Sequence, residues 1–156
     1  MNLKEKIRTE LNSALKSKDE IAVLTLRQLL AMIVNKEKEK KYKLKEEKEV
    51  ELTDDEVLEV IASEVKKRRE AMVEFEKGKR SDLVEKEKKE LAILEKYLPQ
   101  QLSAEEIRNL AEAAIKKIKA QGIKDLGKVM AELMPQVKGR SDGKMVSQIV
   151  KELLIP

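Results

Sequence analysis

The chain has 156 residues, of which 41% are charged and 2% are aromatic, and it contains no His, Cys or Trp. Its length fits one domain or two small ones. Without Cys and His, the composition excludes disulfides, thiol nucleophiles, Ser-His-Asp triads and the usual zinc sites. With one Phe and two Tyr, it also disfavours a broad base-stacking surface and an aromatic-lined cofactor pocket.

The hydrophobic share of 41% is sufficient for a folded core, and no run of about 18 apolar residues is present to span a membrane. Residues 1–8 lack the apolar stretch of a secretory signal. We therefore expect a cytoplasmic protein that has no membrane segment, binds no metal and uses no cofactor.

Apolar residues recur at helical spacing through the first 98 residues and predict four helices. Asn2, Asp19 and Thr53 are suited to cap the first three of them, and a fourth starts near Ser81. The second helix is apolar on almost every side over residues 21–34, which is typical of a central, buried helix.

Gly78 and Pro99 are expected to end helices. Gly78 occupies the position of a left-handed C-terminal cap of the third helix, and Pro99 follows the fourth.

Residues 36–49 carry seven Lys and five Glu. This tract is interpreted either as a solvated extension of the second helix or a mobile loop, or as a basic arm that grips phosphate. The interleaved Glu residues favour the first interpretation.

The composition changes after Pro99, where the charge density falls and four of the five glycines lie. Three further helices are predicted: one capped by Ser103 and ending at Gly122, one capped by Asp125 and closed by Pro135, and one capped by Ser141 or Asp142. The predicted fold is therefore all-α, with an N-terminal four-helix domain (residues 1–98), a linker (99–102) and a compact three-helix C-terminal domain (103–156).

Basic residues are concentrated near the end of the chain, which points to a polyanionic partner. Between residues 116 and 151 there are nine basic and three acidic residues, whereas residues 1–98 carry 24 basic and 23 acidic ones. Two glycine-containing helix starts lie in this region, and such corners are suited to phosphate. The candidate nucleic-acid-binding residues are Lys124, Gly127, Lys128, Lys138, Gly139, Arg140, Gly143 and Lys144. Two ordinary capped helix starts with solvated lysines are the alternative interpretation.

Four consecutive cations at residues 66–69 spread around most of a helix and are expected to form an exposed face with intrahelical ion pairs. The functional alternative makes Lys66 and Arg69 secondary anion contacts. No nucleophile–base constellation is recognised, so no catalytic residue is predicted and a binding protein is favoured over an enzyme.

The order of motifs resembles the YqeY-like proteins over essentially the full chain. The matching segments are LTLRQLLAMIVN (24–35), EVKKRRE (64–70), EKYLPQQL (95–102), DLGKVM (125–130) and KGRSDGKMV (138–146). One departure is Ser141, where the family is expected to have Ala. This resemblance implies a C-terminal domain of the GatB/YqeY type, similar to the tail domain of the tRNA-dependent aspartyl/glutamyl amidotransferase, a carbon–nitrogen ligase with glutamine as amido donor.

In that enzyme the tail helps to hold tRNA while other domains perform catalysis. The resemblance therefore implies a non-catalytic tRNA-binding accessory module. The first alternative is a helical protein-interaction module that docks on an amidotransferase, a synthetase or a ribosome-associated partner. A catalytic amidotransferase is the second, although the residues for that reaction are not recognised in this chain.

Overall fold

The computed structural model describes residues 1–155, which form an all-α fold, as predicted. The helices are α1 (Leu3–Ser17), α2 (Glu20–Leu44), α3 (Asp54–Lys77), α4 (Ser81–Glu95), α5 (Ala104–Ile118), α6 (Leu126–Val137) and α7 (Gly143–Leu154), with a 3₁₀ turn at Ile123–Asp125. Contacts group the chain into two units, Met1–Leu98 and Pro99–Pro156. In the described part of the chain, no helix is long and apolar enough to cross a bilayer.

Each unit is built around its own apolar core. In the N-terminal unit α1 packs along α2 and α3 along α4, and ten residues form the core: Ile7, Leu26, Leu29, Ile33, Val57, Ile61, Val65, Leu91, Leu94 and Tyr97. In the C-terminal unit α5 contacts both α6 and α7. Its core consists of Ile107, Ala111, Ala114, Val129, Leu133, Val137, Val146, Ile149, Val150 and Leu154.

The predicted N-terminal caps of the first, second, third and fifth helices are confirmed. Asn2, Thr53 and Ser103 each form a complete capping box with the Glu three residues later. The Asp19 side chain accepts a hydrogen bond from the Ala22 amide. These caps satisfy amide groups that have no partner within the helix, and each is worth about 1 kcal/mol.

The prediction that α2 is buried on almost every side is wrong. Its buried residues are Ala22, Thr25, Leu26, Leu29 and Ile33, which form one stripe, whereas Leu24 and Val34 are exposed. Within the N-terminal unit, α1, α3 and α4 cover this stripe and leave the opposite side of the helix open. The charged tract extends α2 to Leu44, as the solvated-extension interpretation predicts.

Three predicted helix ends are displaced. Gly78 has φ −81° and is not left-handed. Lys79 adopts the left-handed conformation instead, with φ 56°. The backbone hydrogen bond that ends the helix therefore runs from the Arg80 amide to the Phe75 carbonyl. The fifth helix ends at Ile118, with Lys119 left-handed, and not at Gly122. Pro135 does not close α6, which continues to Val137, because a proline in the last turn removes one helical bond without blocking the remaining ones.

Arg68 is not exposed, contrary to the prediction for the four-cation run. It is 8% exposed, and its guanidinium joins α2, α3 and α4. It makes ion pairs with Glu64, Glu87 and Glu90, and its Nη2 donates to Gln28 Oε1 at 3.1 Å. Three carboxylates thus surround one buried cation.

We expect Arg68→Leu to destabilise the N-terminal unit by about 3–5 kcal/mol, because it leaves the buried carboxylate of Glu90 without its cation. The control is Arg69→Leu, since the neighbouring Arg69–Glu95 pair is half-exposed and worth at most about 1 kcal/mol. Both tyrosines lie in this unit, so tyrosine fluorescence during urea unfolding reports on it alone. Equal losses for the two variants would show that Arg68 does not hold the unit together.

Stability at high pH is expected to depend on Tyr97, whose hydroxyl donates a hydrogen bond to Glu10. Burial, together with the Glu10 carboxylate, raises the pKa of Tyr97 above its ordinary value of 10.0. The unfolded chain therefore loses the Tyr97 proton more readily than the folded chain, and stability falls as the pH rises above 10. Urea unfolding between pH 8 and 11 should show a smaller decline for Tyr97→Phe than for the original chain; identical declines would contradict this assignment.

Candidate nucleic-acid interface

The candidate residues of the C-terminal unit form two separate corners. We call residues Lys138, Gly139, Arg140, Gly143 and Lys144 the Arg140 corner, and residues Lys124, Gly127 and Lys128 the Lys124 corner. They lie at opposite ends of α6, which at 1.5 Å per residue places them about 16 Å apart along the helix axis. The structure thus brings together the residues within each corner and keeps the two corners apart.

The Arg140 corner is a tight connection between α6 and α7. The Arg140 amide donates to the Val137 carbonyl at 2.9 Å, and the Ser141 hydroxyl donates to the same oxygen at 3.2 Å. Gly139 has φ 76°, a left-handed conformation that glycine adopts without steric cost. This corner therefore depends on glycine for its backbone conformation.

The segment preceding α5 holds this corner in place. The Leu102 amide donates to the Arg140 carbonyl at 2.8 Å, and the Gln101 side-chain amide donates to the Gly139 carbonyl at 3.1 Å. Arg140 Nε in turn donates to the Gln100 carbonyl at 3.2 Å. Residues 99–102, predicted as a linker, thus make the contacts that orient Arg140. Sequence reasoning missed this role, because about 40 residues separate the partners and no local pattern signals the pairing.

The Arg140 guanidinium is oriented but retains binding capacity. Its Nε is engaged with Gln100, and no hydrogen bond reaches its two terminal nitrogens from the residues that the structure describes. Those nitrogens form the edge with which arginine makes two parallel hydrogen bonds to a phosphate. Lys144, in the first turn of α7, is also exposed.

Asp142 caps α7, which settles the choice that the sequence left between Ser141 and Asp142. Its carboxylate accepts from the Lys144 amide at 3.0 Å and so occupies part of the helix N-terminus. An approaching anion meets this negative charge there. The side chains of Arg140 and Lys144, more than the helix amides, are therefore suited to hold a phosphate.

The two lysines of the Lys124 corner share a surface depression with one carboxylate, that of Asp125. Asp125 precedes α6, but the predicted side-chain cap is wrong: its carboxylate accepts from the Gln121 amide at 2.9 Å and lies 3.9 Å from Lys128 Nζ. Lys119 lines the same surface depression as Lys124 and Lys128. Sequence reasoning missed Lys119, which is brought there by its left-handed conformation at the end of α5.

The two glycines in the helix starts leave space at the surface. A Cβ atom added to Gly127 or Gly143 would meet no other atom within 4 Å. Neither glycine is therefore required for internal packing.

The secondary candidates Lys66 and Arg69 lie on α3 of the N-terminal unit. Arg69 pairs with Glu95 at 2.6 Å, so its charge is already engaged within the unit. A role for these two residues in anion binding stays a prediction.

We expect Gly139→Ala to destabilise the C-terminal unit by about 1 kcal/mol, because alanine is strained in the left-handed conformation that this position requires. The matched control is Gly143→Ala, which lies in α7 without positive φ and should be neutral or slightly stabilising. Hydrogen exchange of the α7 amides, followed by mass spectrometry, measures the local effect. Equal exchange in the two variants would be inconsistent with a strained turn at Gly139.

Similar proteins occur in fungi. A mitochondrial protein of Pyrenophora tritici-repentis, named altered inheritance of mitochondria protein 41, is 30% identical over 96% of this chain and 79% of its own length. Its namesake in Kluyveromyces lactis is 36% identical over 58% of this chain and 45% of its own length. An uncharacterized protein of Schizosaccharomyces pombe is 35% identical over 65% of this chain and 76% of its own length.

Two of these relatives are named as mitochondrial proteins, so the cytoplasmic location predicted for this chain stays a prediction. The family model described as Yqey-like protein matches residues 4–154. This range includes all the candidate residues of the Arg140 and Lys124 corners. The chain therefore belongs to the YqeY-like protein family.

Proposed function

We propose that the chain is a tRNA-binding accessory module in which the Arg140 corner contacts the phosphate backbone. The observation that carries this proposal is the Arg140 guanidinium, which the Gln100 carbonyl orients while its terminal nitrogens stay available. An arginine held in this way loses less conformational entropy when it binds a phosphate than a freely moving one does. The resemblance of the C-terminal unit to an amidotransferase tail supports tRNA as the source of those phosphates.

The charge distribution of the C-terminal unit supports a polyanionic ligand. It has ten basic and seven acidic residues. Arg108 and Lys117 are paired with glutamates away from the corners. The corners themselves contain five basic residues and two acidic ones, Asp125 and Asp142, so their combined charge is positive even though Asp125 lies 3.9 Å from Lys128.

The separation of the two corners suits a nucleic-acid strand better than a small anion. The corners are about 16 Å apart, which is farther than one nucleotide spans, so each corner would contact a different phosphate of the same nucleic acid. A mononucleotide or free phosphate is too short to contact both corners.

Recognition by this unit is expected to follow backbone shape more than base identity. All three aromatic residues of the chain precede Pro99, so the C-terminal unit has no ring on which a base can stack. Contacts with phosphates position a nucleic acid but carry no direct sequence information. The proposed module thus holds tRNA, and it does not by itself select one tRNA by its bases.

The test is the salt dependence of tRNA binding to the full chain, measured by fluorescence anisotropy with labelled tRNA between about 50 and about 200 mM salt. Each phosphate contact contributes about 0.7–0.9 to the slope of log affinity against log salt. We expect Arg140→Ala and Lys144→Ala each to reduce that slope by about this amount. Arg108→Ala, which removes the same charge from a pair with Glu152, is the matched control and should leave the slope unchanged.

An unchanged slope in the Arg140→Ala, Lys144→Ala double variant would remove the Arg140 corner from the binding site. If the chain purified from its host at moderate salt retains no tRNA but carries a stoichiometric protein, the protein-interaction alternative is favoured instead. Glutamine-dependent amidation of mischarged tRNA by this chain alone would establish the catalytic alternative.

A further inference from the structure

The ring of Tyr42 is the one fully exposed aromatic side chain among residues 1–155. Tyr42 is 86% exposed, whereas Tyr97 is 8% exposed and Phe75 is partly buried. It lies in the last turn of α2, where most neighbouring residues are charged. The ring has no packing role that would account for its position.

Three lysines accompany this ring. Lys38, Lys41 and Tyr42 follow the spacing i, i+3, i+4, which places them along one helix face, and Lys45 is the left-handed residue that follows the end of α2. Together with Glu46 they line one surface depression. We call these four residues the Tyr42 face; Glu46 lies at its edge.

Two of the five Glu residues in this tract form ion pairs away from the Tyr42 face. Glu37 pairs with a lysine of α1, Lys4, at 2.5 Å. Glu39 pairs with Lys36, which lies off the Tyr42 face, at 3.1 Å. These two carboxylates therefore do not neutralise the cations beside the ring.

Two carboxylates do reach the Tyr42 face: Glu46 lines the edge of its depression, and Glu49 contacts one of its lysines. Glu49 pairs with Lys41 at 2.8 Å, and that hydrogen bond lowers the pKa of the Glu49 carboxyl, with a smaller contribution from the charge of Lys38. Lys38 and Lys45 make no ion pair in the part of the chain that the structure describes. The three lysines of the Tyr42 face still outnumber these two carboxylates.

We propose that the Tyr42 face binds a single-stranded segment of RNA, with the Tyr42 ring stacked on an unpaired base and Lys38 and Lys45 on flanking phosphates. Proteins that bind single strands combine stacking rings with a basic track in this way. Lysines near the end of α2 also complement the helix dipole, but that role does not require an exposed aromatic ring. The proposal uses residues of the N-terminal unit alone and is independent of the Arg140 corner.

The experiment measures binding of a fluorescein-labelled oligoadenylate of about 12 nucleotides to the full chain by fluorescence anisotropy. Loss of base stacking should make Tyr42→Ala bind about tenfold more weakly, while Tyr42→Phe, which keeps a ring, should bind like the original chain. Both variants should keep the melting temperature, because the side chain is exposed. The matched control is Leu44→Ala, which truncates another exposed apolar side chain at the end of α2 but lies off the Tyr42 face.

The lysines are tested by salt dependence. Lys38→Gln and Lys45→Gln should each lower the slope of log affinity against log salt by about 0.7, the value for single strands. Lys36→Gln neutralises a lysine of the same helix that is already paired with Glu39 and should change the slope less. Crosslinking with a 4-thiouridine oligonucleotide, followed by peptide mass spectrometry, should place the contact at Tyr42.

Several outcomes would overturn the proposal. They are equal weakening by Tyr42→Ala and Leu44→Ala, failure of Tyr42→Phe to retain binding, and binding to anionic lipid vesicles but not to the oligonucleotide. A duplex of the same length should not displace the oligoadenylate equally well from the original chain and from Tyr42→Ala. Equal displacement would indicate a surface that binds any polyanion and would also contradict the proposal. Because the Arg140 corner is proposed to bind phosphates, the comparison is repeated in the Arg140→Ala, Lys144→Ala double variant. There Tyr42→Ala should weaken oligoadenylate binding by the same factor, whereas loss of that effect would assign the binding to the Arg140 corner and contradict the proposal.

Discussion

A single apolar stripe along each helix is the constraint on which both units depend. Because 41% of the residues are charged, each helix has one narrow side that can be removed from water, and packing must align those sides. This constraint explains why α2 buries Leu29 and Ile33 but exposes Leu24, although apolar residues lie on both sides of this helix. It also forces the charges into exposed positions or ion pairs. Arg68 and Glu90 are the buried charged residues of the described chain, and there they form an ion pair, with Glu64 and Glu87 also contacting Arg68.

The features that could be predicted from the sequence are those that depend on residues three or four positions apart. Seven helices and three capping boxes follow from spacings of three or four residues, and the structure contains them. The ends at Gly78 and Pro135 are displaced by one or two residues, because a helix end depends on which carbonyl accepts the last bond. Apart from Glu64, which lies four residues before Arg68, the partners in the Arg68 cluster and in the contact between Gln100 and Arg140 are 19 to 40 positions apart, and no local pattern specifies them.

The local sequence also does not specify which charged side chains form ion pairs. The run at residues 66–69 and the tract at residues 36–49 both place cations near Glu, yet the structure uses them differently. Arg68 is directed inward and Arg69 pairs with Glu95, whereas Lys38 makes no ion pair within the described residues and lines the same depression as the exposed Tyr42. Helical periodicity predicts the face on which a lysine lies. Whether that lysine can bind an anion depends on whether a carboxylate from another segment already pairs with it. A count of interleaved Glu residues therefore underestimates the exposed positive charge.

The cations of the C-terminal unit also differ in how firmly neighbouring residues hold their side chains. Lys124 and Lys128 are long, exposed side chains that supply charge, and such contacts are strongly weakened by salt. Arg140 differs because its Nε is bonded to a backbone carbonyl and its own carbonyl accepts from the Leu102 amide. Its planar group is thus fixed relative to the helices of its unit before any ligand arrives, and planar donors fixed in this way distinguish phosphate geometry as well as charge. Under the proposed function, the direction of this arginine and the spacing of the two corners would together specify where the phosphates of a bound tRNA must lie, which does not require aromatic rings in this unit.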